Sequence, residues 1–145
     1  RELQSSRHLE VIACNATHGF LPLMSGEPAR RAQIRAGVSA YTRTFGRRPR
    51  GMWLAECAWD HGFDRLLAEE SVGYTFLDTA AVTHARPQPK AGVHAPIRTP
   101  AGPIVFARDV ETGRQVWSAR EGYPGDELYR EFYRDIGWDA SYEYI

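Results

Sequence analysis

Three polar residues, His18, Glu56 and Asp78, each follow a short apolar run: Val11-Ile12-Ala13-Cys14 ahead of His18, Met52-Trp53-Leu54-Ala55 ahead of Glu56, and Tyr74-Thr75-Phe76-Leu77 ahead of Asp78. A carboxylate and an imidazole can serve in acid–base or nucleophilic chemistry. A charged group leaving a buried strand is costly unless it is paired or working. Each residue also has a quieter reading. Glu56 could cap a following helix, since helix N-termini favour carboxylates, or pair with an arginine. His18 could be a satisfied turn histidine, and Asp78 reads as structural.

Two further constellations bear on chemistry. Cys14-x3-His18 and Cys57-x3-His61 supply soft donors for a tetrahedral zinc site, but each pair would have to straddle a strand end, and a thiol following an apolar strand is ordinary packing. No metal and no cofactor is therefore expected. Trp53, Trp59, Trp117, Tyr123 and Trp138 could stack on the apolar C–H faces of sugar rings. Core packing is the commoner fate of aromatics, and Trp53 and Trp138 read that way. Trp117, set between Gln115-Val116 and Ser118, reads as a loop residue open to binding.

The elements that must position these residues follow from periodicity. Leu9–Cys14 reads as a strand ending in the polar turn Thr17-His18-Gly19. Ile34, Val38, Tyr41 and Phe45 recur at helical spacing, which predicts an amphipathic helix from Pro28 to Phe45 closed by Gly46. Met52–Ala55 is apolar on both alternating faces, as in a parallel sheet covered on both sides. Asp60 offers an N-cap for a helix through Phe63, Leu66 and Leu67, and Tyr74–Leu77 makes the third strand. In such a strand Glu56 shares a face with Met52 and Leu54, opposite Cys57, which argues against a joint site for Glu56 and Cys57. In sheets of this kind ligands meet the protein at the C-terminal strand ends, the edge that carries His18, Glu56 and Asp78.

From about 80 to 123 the pattern changes. Pro87, Pro89, Pro96, Pro100 and Pro103 punctuate the chain, with short extended pieces near 93–98 and 104–108, and the stretch reads as an irregular excursion, not another repeat. A final helix is expected after Pro124-Gly125-Asp126, with Leu128, Phe132 and Ile136 on one stripe.

Composition narrows the partners. Eighteen basic and eighteen acidic residues cancel, and beyond Arg47-Arg48-Pro49-Arg50 no basic cluster offers the footprint of a nucleic-acid binder. Neutral partners such as sugars fit better. No apolar run approaches the ~20 residues of a membrane span. Two cysteines without a disulfide framework read as reduced thiols of a cytoplasmic protein. The chain starts without methionine and its last residues look like the start of another element, so it reads as an excerpt.

Ala16-Thr17-His18-Gly19-Phe20-Leu21-Pro22, Trp53-Leu54-Ala55-Glu56-Cys57-Ala58-Trp59 and Gln115-Val116-Trp117-Ser118 resemble, in that order, motifs of glycoside hydrolase family 57, specifically its branching-enzyme members. Gly122-Tyr123-Pro124-Gly125-Asp126 and Tyr129–Gly137 extend the match, which runs from about Leu9 to the end. The resemblance implies part of a distorted (β/α)7 barrel with parallel strands, residues 1–145 being a fragment of one catalytic barrel that is inactive alone. It implies Glu56 as the catalytic nucleophile, His18 lining the donor-sugar site, and Trp117 and Tyr123 as substrate-binding aromatics on an α-1,4-glucan. Asp78-Thr79-Ala80 departs from the Asp-Thr-His that the family would place there. The acid/base aspartate has no counterpart and is expected beyond residue 145.

Overall fold

The computed structural model describes residues 2–126 and Glu143. They divide into two compact units after Arg108. The helix expected after Asp126, with Leu128, Phe132 and Ile136, and also Trp138, lie outside the described residues.

The first unit is an α/β layer. Its helices are α1 (Glu2–Ser5), α2 (Gly26–Phe45), α3 (Phe63–Glu69) and α4 (Thr79–Thr83). Its strands are β1 (Ala13–Cys14), β2 (Gly51–Trp53), β3 (Tyr74–Leu77), β4 (Ile97–Arg98) and β5 (Ile104–Ala107). The sheet order is β1-β2-β3-β5-β4, parallel throughout except for the antiparallel pair β4–β5. This is an open arc of parallel strands with helical crossovers, the construction of a (β/α) barrel.

Apolar residues at helical spacing put one stripe of α2 on the sheet. Ile34, Val38 and Tyr41 pack with Met52 and Leu54 of the second strand segment, and Phe63, Leu66 and Leu67 of α3 complete the core. Gly37 permits the closest approach: a Cβ there would lie 2.0 Å from the Cys14 carbonyl oxygen. Gly46 ends α2 in the left-handed region, at φ 71°, which glycine enters without a Cβ penalty. Across the sheet from this core, Trp53, Tyr74, Phe76 and Phe106 form a continuous aromatic face, with Phe76 5.8 Å from Phe106 and 6.2 Å from Trp53.

Several expectations need correction. The strand expected over Leu9–Cys14 is paired only at Ala13 and Cys14, opposite Met52 and Trp53, because β2 begins at Gly51 and gives the earlier residues no longer ladder. Tyr41 instead donates its hydroxyl to the Val11 carbonyl at 2.8 Å. Asp60 is not the N-cap of α3; Gly62 holds that position, at φ 83°. The Asp60 carboxylate accepts from Arg30 at 3.1 Å, and the Arg30 guanidinium also lies over the Phe63 ring. The other Asp60 oxygen accepts from the His61 N–H at 2.7 Å, two residues short of the helix start. The proline-rich stretch is more regular than expected: β5 pairs parallel with β3 along its whole length, Tyr74–Leu77 opposite Ile104–Ala107, so a further parallel crossover follows Asp78. Prolines confine the irregular chain to the connection and leave β5 itself free of them.

The second unit begins with α5 (Val110–Trp117), capped by Asp109. A 3-10 turn at Tyr123–Gly125 follows. A Cβ at Gly122 would lie 2.5 Å from the Arg114 and Gln115 carbonyl oxygens, so the turn folds back closely on the end of α5.

Candidate active site

β1 and β2 run parallel, so the residues following them emerge at the same edge of the sheet. His18 and Glu56 meet there: His18 Nε2 lies 3.5 Å from Glu56 Oε1, and both side chains are exposed, at 56% and 74%. Glu56 caps no helix, and among the described residues no arginine is paired with it. The two quieter readings of Glu56 therefore give way to a carboxylate presented to solvent beside an imidazole.

The backbone under this pair is unusual. Ala55–Cys57 is a single 3-10 turn interrupted at Glu56, which has φ 59° and ψ 26°. His18 has φ 53° and Cys57 φ 52°. A non-glycine residue in the left-handed region costs roughly 1–2 kcal/mol, and such strain gathers at functional sites. Here three such residues stand at two neighbouring strand ends. The turn is closed by Cys57 N–H to the Leu54 carbonyl at 3.0 Å and by Ala58 N–H to Ala55 at 3.2 Å. It lifts Glu56 out of the strand pleat and sends Cys57, only 2% exposed, into the interior. Glu56 and Cys57 do part company, but through a left-handed turn and not through strand alternation.

Asn15, which the sequence reading passed over, joins the two loops. It is 2% exposed. Its Oδ1 accepts from the Ala55 N–H at 3.0 Å, its Nδ2 donates to the Gly19 carbonyl at 3.0 Å, and its own carbonyl accepts from His18 N–H at 3.1 Å. The available signal was its place: a polar residue with a short amide, one step past a buried strand end.

Cys14 Sγ lies 3.3 Å from His18 Nδ1, and Cys57 is buried. Among the described residues no three His, Cys, Asp or Glu side chains converge as a metal would require. Burial pushes both thiols above the ordinary cysteine range; for Cys57 a hydrogen bond to Arg108 pulls more weakly the other way.

Asp78 keeps its structural reading: it is the N-cap of α4, accepting from Ala80 N–H at 2.9 Å. Trp117 and Tyr123 belong to the second unit and are exposed there, at 69% and 51%. Trp117 is not in a loop. It is the last residue of α5, whose C-cap is Ser118 and which buries none of its residues, so the polar neighbours that suggested a loop belong to an exposed helix end. Among the described residues no helix is long and apolar enough to cross a membrane.

Known proteins carry the same construction. Over residues 1–141 the chain matches the model of glycosyl hydrolase family 57. It is 38% identical to a 1,4-alpha-glucan branching enzyme of Thermococcus kodakarensis over 92% of its own length and 24% of that protein. The crystal structure of the alpha-amylase AmyC from Thermotoga maritima superposes with a TM-score of 0.86 at 51% identity, covering 99% of this chain and 28% of that one. A branching enzyme of Pyrococcus horikoshii superposes with a TM-score of 0.79 at 38% identity, covering 92% and 27%. The chain thus spans about a quarter of the length of the relatives it matches, and its five-stranded arc is a sector of their barrel. With the family model covering nearly every residue and the sheet superposing on those enzymes, the chain belongs to glycosyl hydrolase family 57.

Proposed function

We propose that this chain carries the nucleophile half of a retaining α-glucan-active site, with Glu56 as the nucleophile and His18 beside it in the donor-sugar site. The observation that carries the reading is the His18–Glu56 pair, 3.5 Å apart, exposed and raised on left-handed backbone at the C-terminal ends of adjacent parallel strands. An exposed carboxylate is open to an incoming sugar, while the neighbouring imidazole can orient it and hydrogen-bond a sugar hydroxyl.

In this reading a Glu56 oxygen forms a bond to the anomeric carbon as the α-1,4 glycosidic C–O bond breaks. A second carboxyl group, about 5–5.5 Å away in retaining enzymes, protonates the departing oxygen. The same group then takes the proton of an acceptor hydroxyl, whose oxygen displaces Glu56 from the anomeric carbon and restores the configuration. We assign that second group to the portion of the protein outside this chain. Water as acceptor gives hydrolysis. A glucan 6-hydroxyl gives an α-1,6 branch, and holding one against water requires sugar platforms. Trp117 and Tyr123, both exposed aromatics, suit that task.

Branching is the outcome we favour, on the branching enzymes among the relatives. A hydrolytic outcome draws on the higher identity to AmyC, a protein described as an alpha-amylase. The two share the first displacement and differ in the acceptor. Incubating the full-length protein with amylose and analysing the linkages decides between them: new α-1,6 linkages are expected, whereas shortened linear products alone would identify an amylase or a 4-α-glucanotransferase. Glu56→Gln in that protein should lower turnover by several orders of magnitude while the fold persists, as loss of a covalent nucleophile does. Unchanged turnover would remove Glu56 as the nucleophile, and no turnover in either form alongside glucan binding would point to a non-catalytic glucan-binding protein.

A further inference from the structure

We infer that Asn15 is a positioning residue for Glu56, acting through the Ala55 N–H; the inference rests on Glu56 being the nucleophile. The β1–β2 ladder ends at the pair Cys14 and Trp53. Beyond it the backbone of β1 turns away toward His18 and no longer offers a carbonyl to β2. Ala55 is 1% exposed, so its N–H would be left buried and unpaired, a state that costs more than an ordinary hydrogen bond contributes. The Asn15 side chain takes over the role of the missing strand, and its Oδ1 accepts that N–H at 3.0 Å. Ala55 is the residue immediately before the left-handed Glu56, so this bond anchors the entrance of the turn at the point where the backbone reverses.

The same amide is itself held from the other side. Its Nδ2 donates to the Gly19 carbonyl, and Ala16 N–H donates to the Gln33 carbonyl of α2 at 3.1 Å. Asn15 therefore has one orientation in which both amide ends are satisfied, and that orientation aims its oxygen at the Glu56 turn. Asn15 is itself buried, beneath the exposed pair; its effect is to keep a left-handed turn in register with the loop that bears His18.

The test uses the full-length protein that contains this chain, with Asn15→Ala, Asn15→Asp and Glu56→Gln assayed for kcat and KM on a soluble maltooligosaccharide and for melting temperature. Asn15→Ala should lower kcat by roughly 10- to 100-fold, the scale on which a misplacement of about 1 Å acts, with KM within about twofold of wild type. Asn15→Asp retains an oxygen for the Ala55 N–H but loses the donor to Gly19; it should recover most of kcat while its melting temperature stays below that of wild type. That separation of kcat from stability is the signature of positioning. Wild-type kcat in Asn15→Ala, kcat that follows melting temperature through both variants, or failure of both to fold would overturn the proposal and leave Asn15 a stabilising residue. Activity retained in Glu56→Gln would instead overturn the assignment of the nucleophile, whatever the Asn15 variants do.

Discussion

His18 Nε2 and Glu56 Oε1 stand 3.5 Å apart across the ends of two adjacent parallel strands, and both residues have positive φ. The pair is open to solvent, where an exposed ion pair contributes little to stability. Replacing His18 by alanine in the full-length protein should therefore leave the melting temperature nearly unchanged while kcat/KM falls by about 100-fold, the scale of a lost orienting contact. Steady-state kinetics beside a thermal melt checks this; a variant with wild-type kcat/KM would remove His18 from the site.

Gly37→Ala should destabilise the protein although alanine is favoured over glycine in a helix by about 1 kcal/mol. The new methyl would meet the Cys14 carbonyl oxygen at 2.0 Å, and that atom belongs to the strand leading to Asn15 and His18. Overpacking of this sort costs roughly 1–3 kcal/mol. A lowered melting temperature is expected; a raised one would mean that α2 moves freely off β1.

Both thiols should alkylate slowly at neutral pH. Burial raises their pKa values, so the reactive thiolate is scarcer at pH 7 than on a free cysteine, and labelling should accelerate only as pH climbs above the ordinary thiol range. Cys14, partly exposed, should react ahead of buried Cys57. Mass spectrometry after timed iodoacetamide treatment of the native protein reads both rates; prompt labelling of Cys57 at pH 7 would contradict its burial.

Trp117→Ala and Tyr123→Ala should change where the cleaved chain goes more than how fast it is cleaved. On the proposed reading, losing an aromatic platform weakens acceptor binding by about 1 kcal/mol, the order of a stacking contact, and raises the share of products transferred to water. The ratio of α-1,6 linkages to new reducing ends is the measurement. An unaltered ratio in both variants would take these aromatics out of the acceptor site.

Long periodic elements were legible in the sequence. The stripe Ile34, Val38, Tyr41 and Phe45 placed α2, and the apolar runs before Glu56 and Asp78 placed β2 and β3, because burial on a sheet leaves a pattern that survives in one dimension. Features set by distant partners were not. Asp60 has the chemistry of a cap, yet its carboxylate is shared between Arg30 on α2 and the His61 N–H, ahead of the helix. The extended piece near 104–108 was legible, but its place as β5 comes from pairing with β3, which no local signal announces. For the candidate site, residue type and position singled out Glu56 and His18, which the structure brings within 3.5 Å of each other, but alternation gave the wrong reason for the separation of Glu56 from Cys57. A left-handed residue without glycine is chosen by its surroundings, and Asn15 earns notice only once the loops it joins are seen side by side.

The left-handed turn at Glu56 and Cys57 also bears on how this protein would lose function. A conformation imposed against local preference relaxes when its restraints loosen, and here those restraints include a few hydrogen bonds at the strand ends beside the burial of Ala55 and Cys57. If Glu56 and His18 act together as proposed, heating should part them before the sheet itself comes apart. On that reading inactivation and unfolding would have separate midpoints, and selection for heat resistance in the one need not deliver it in the other.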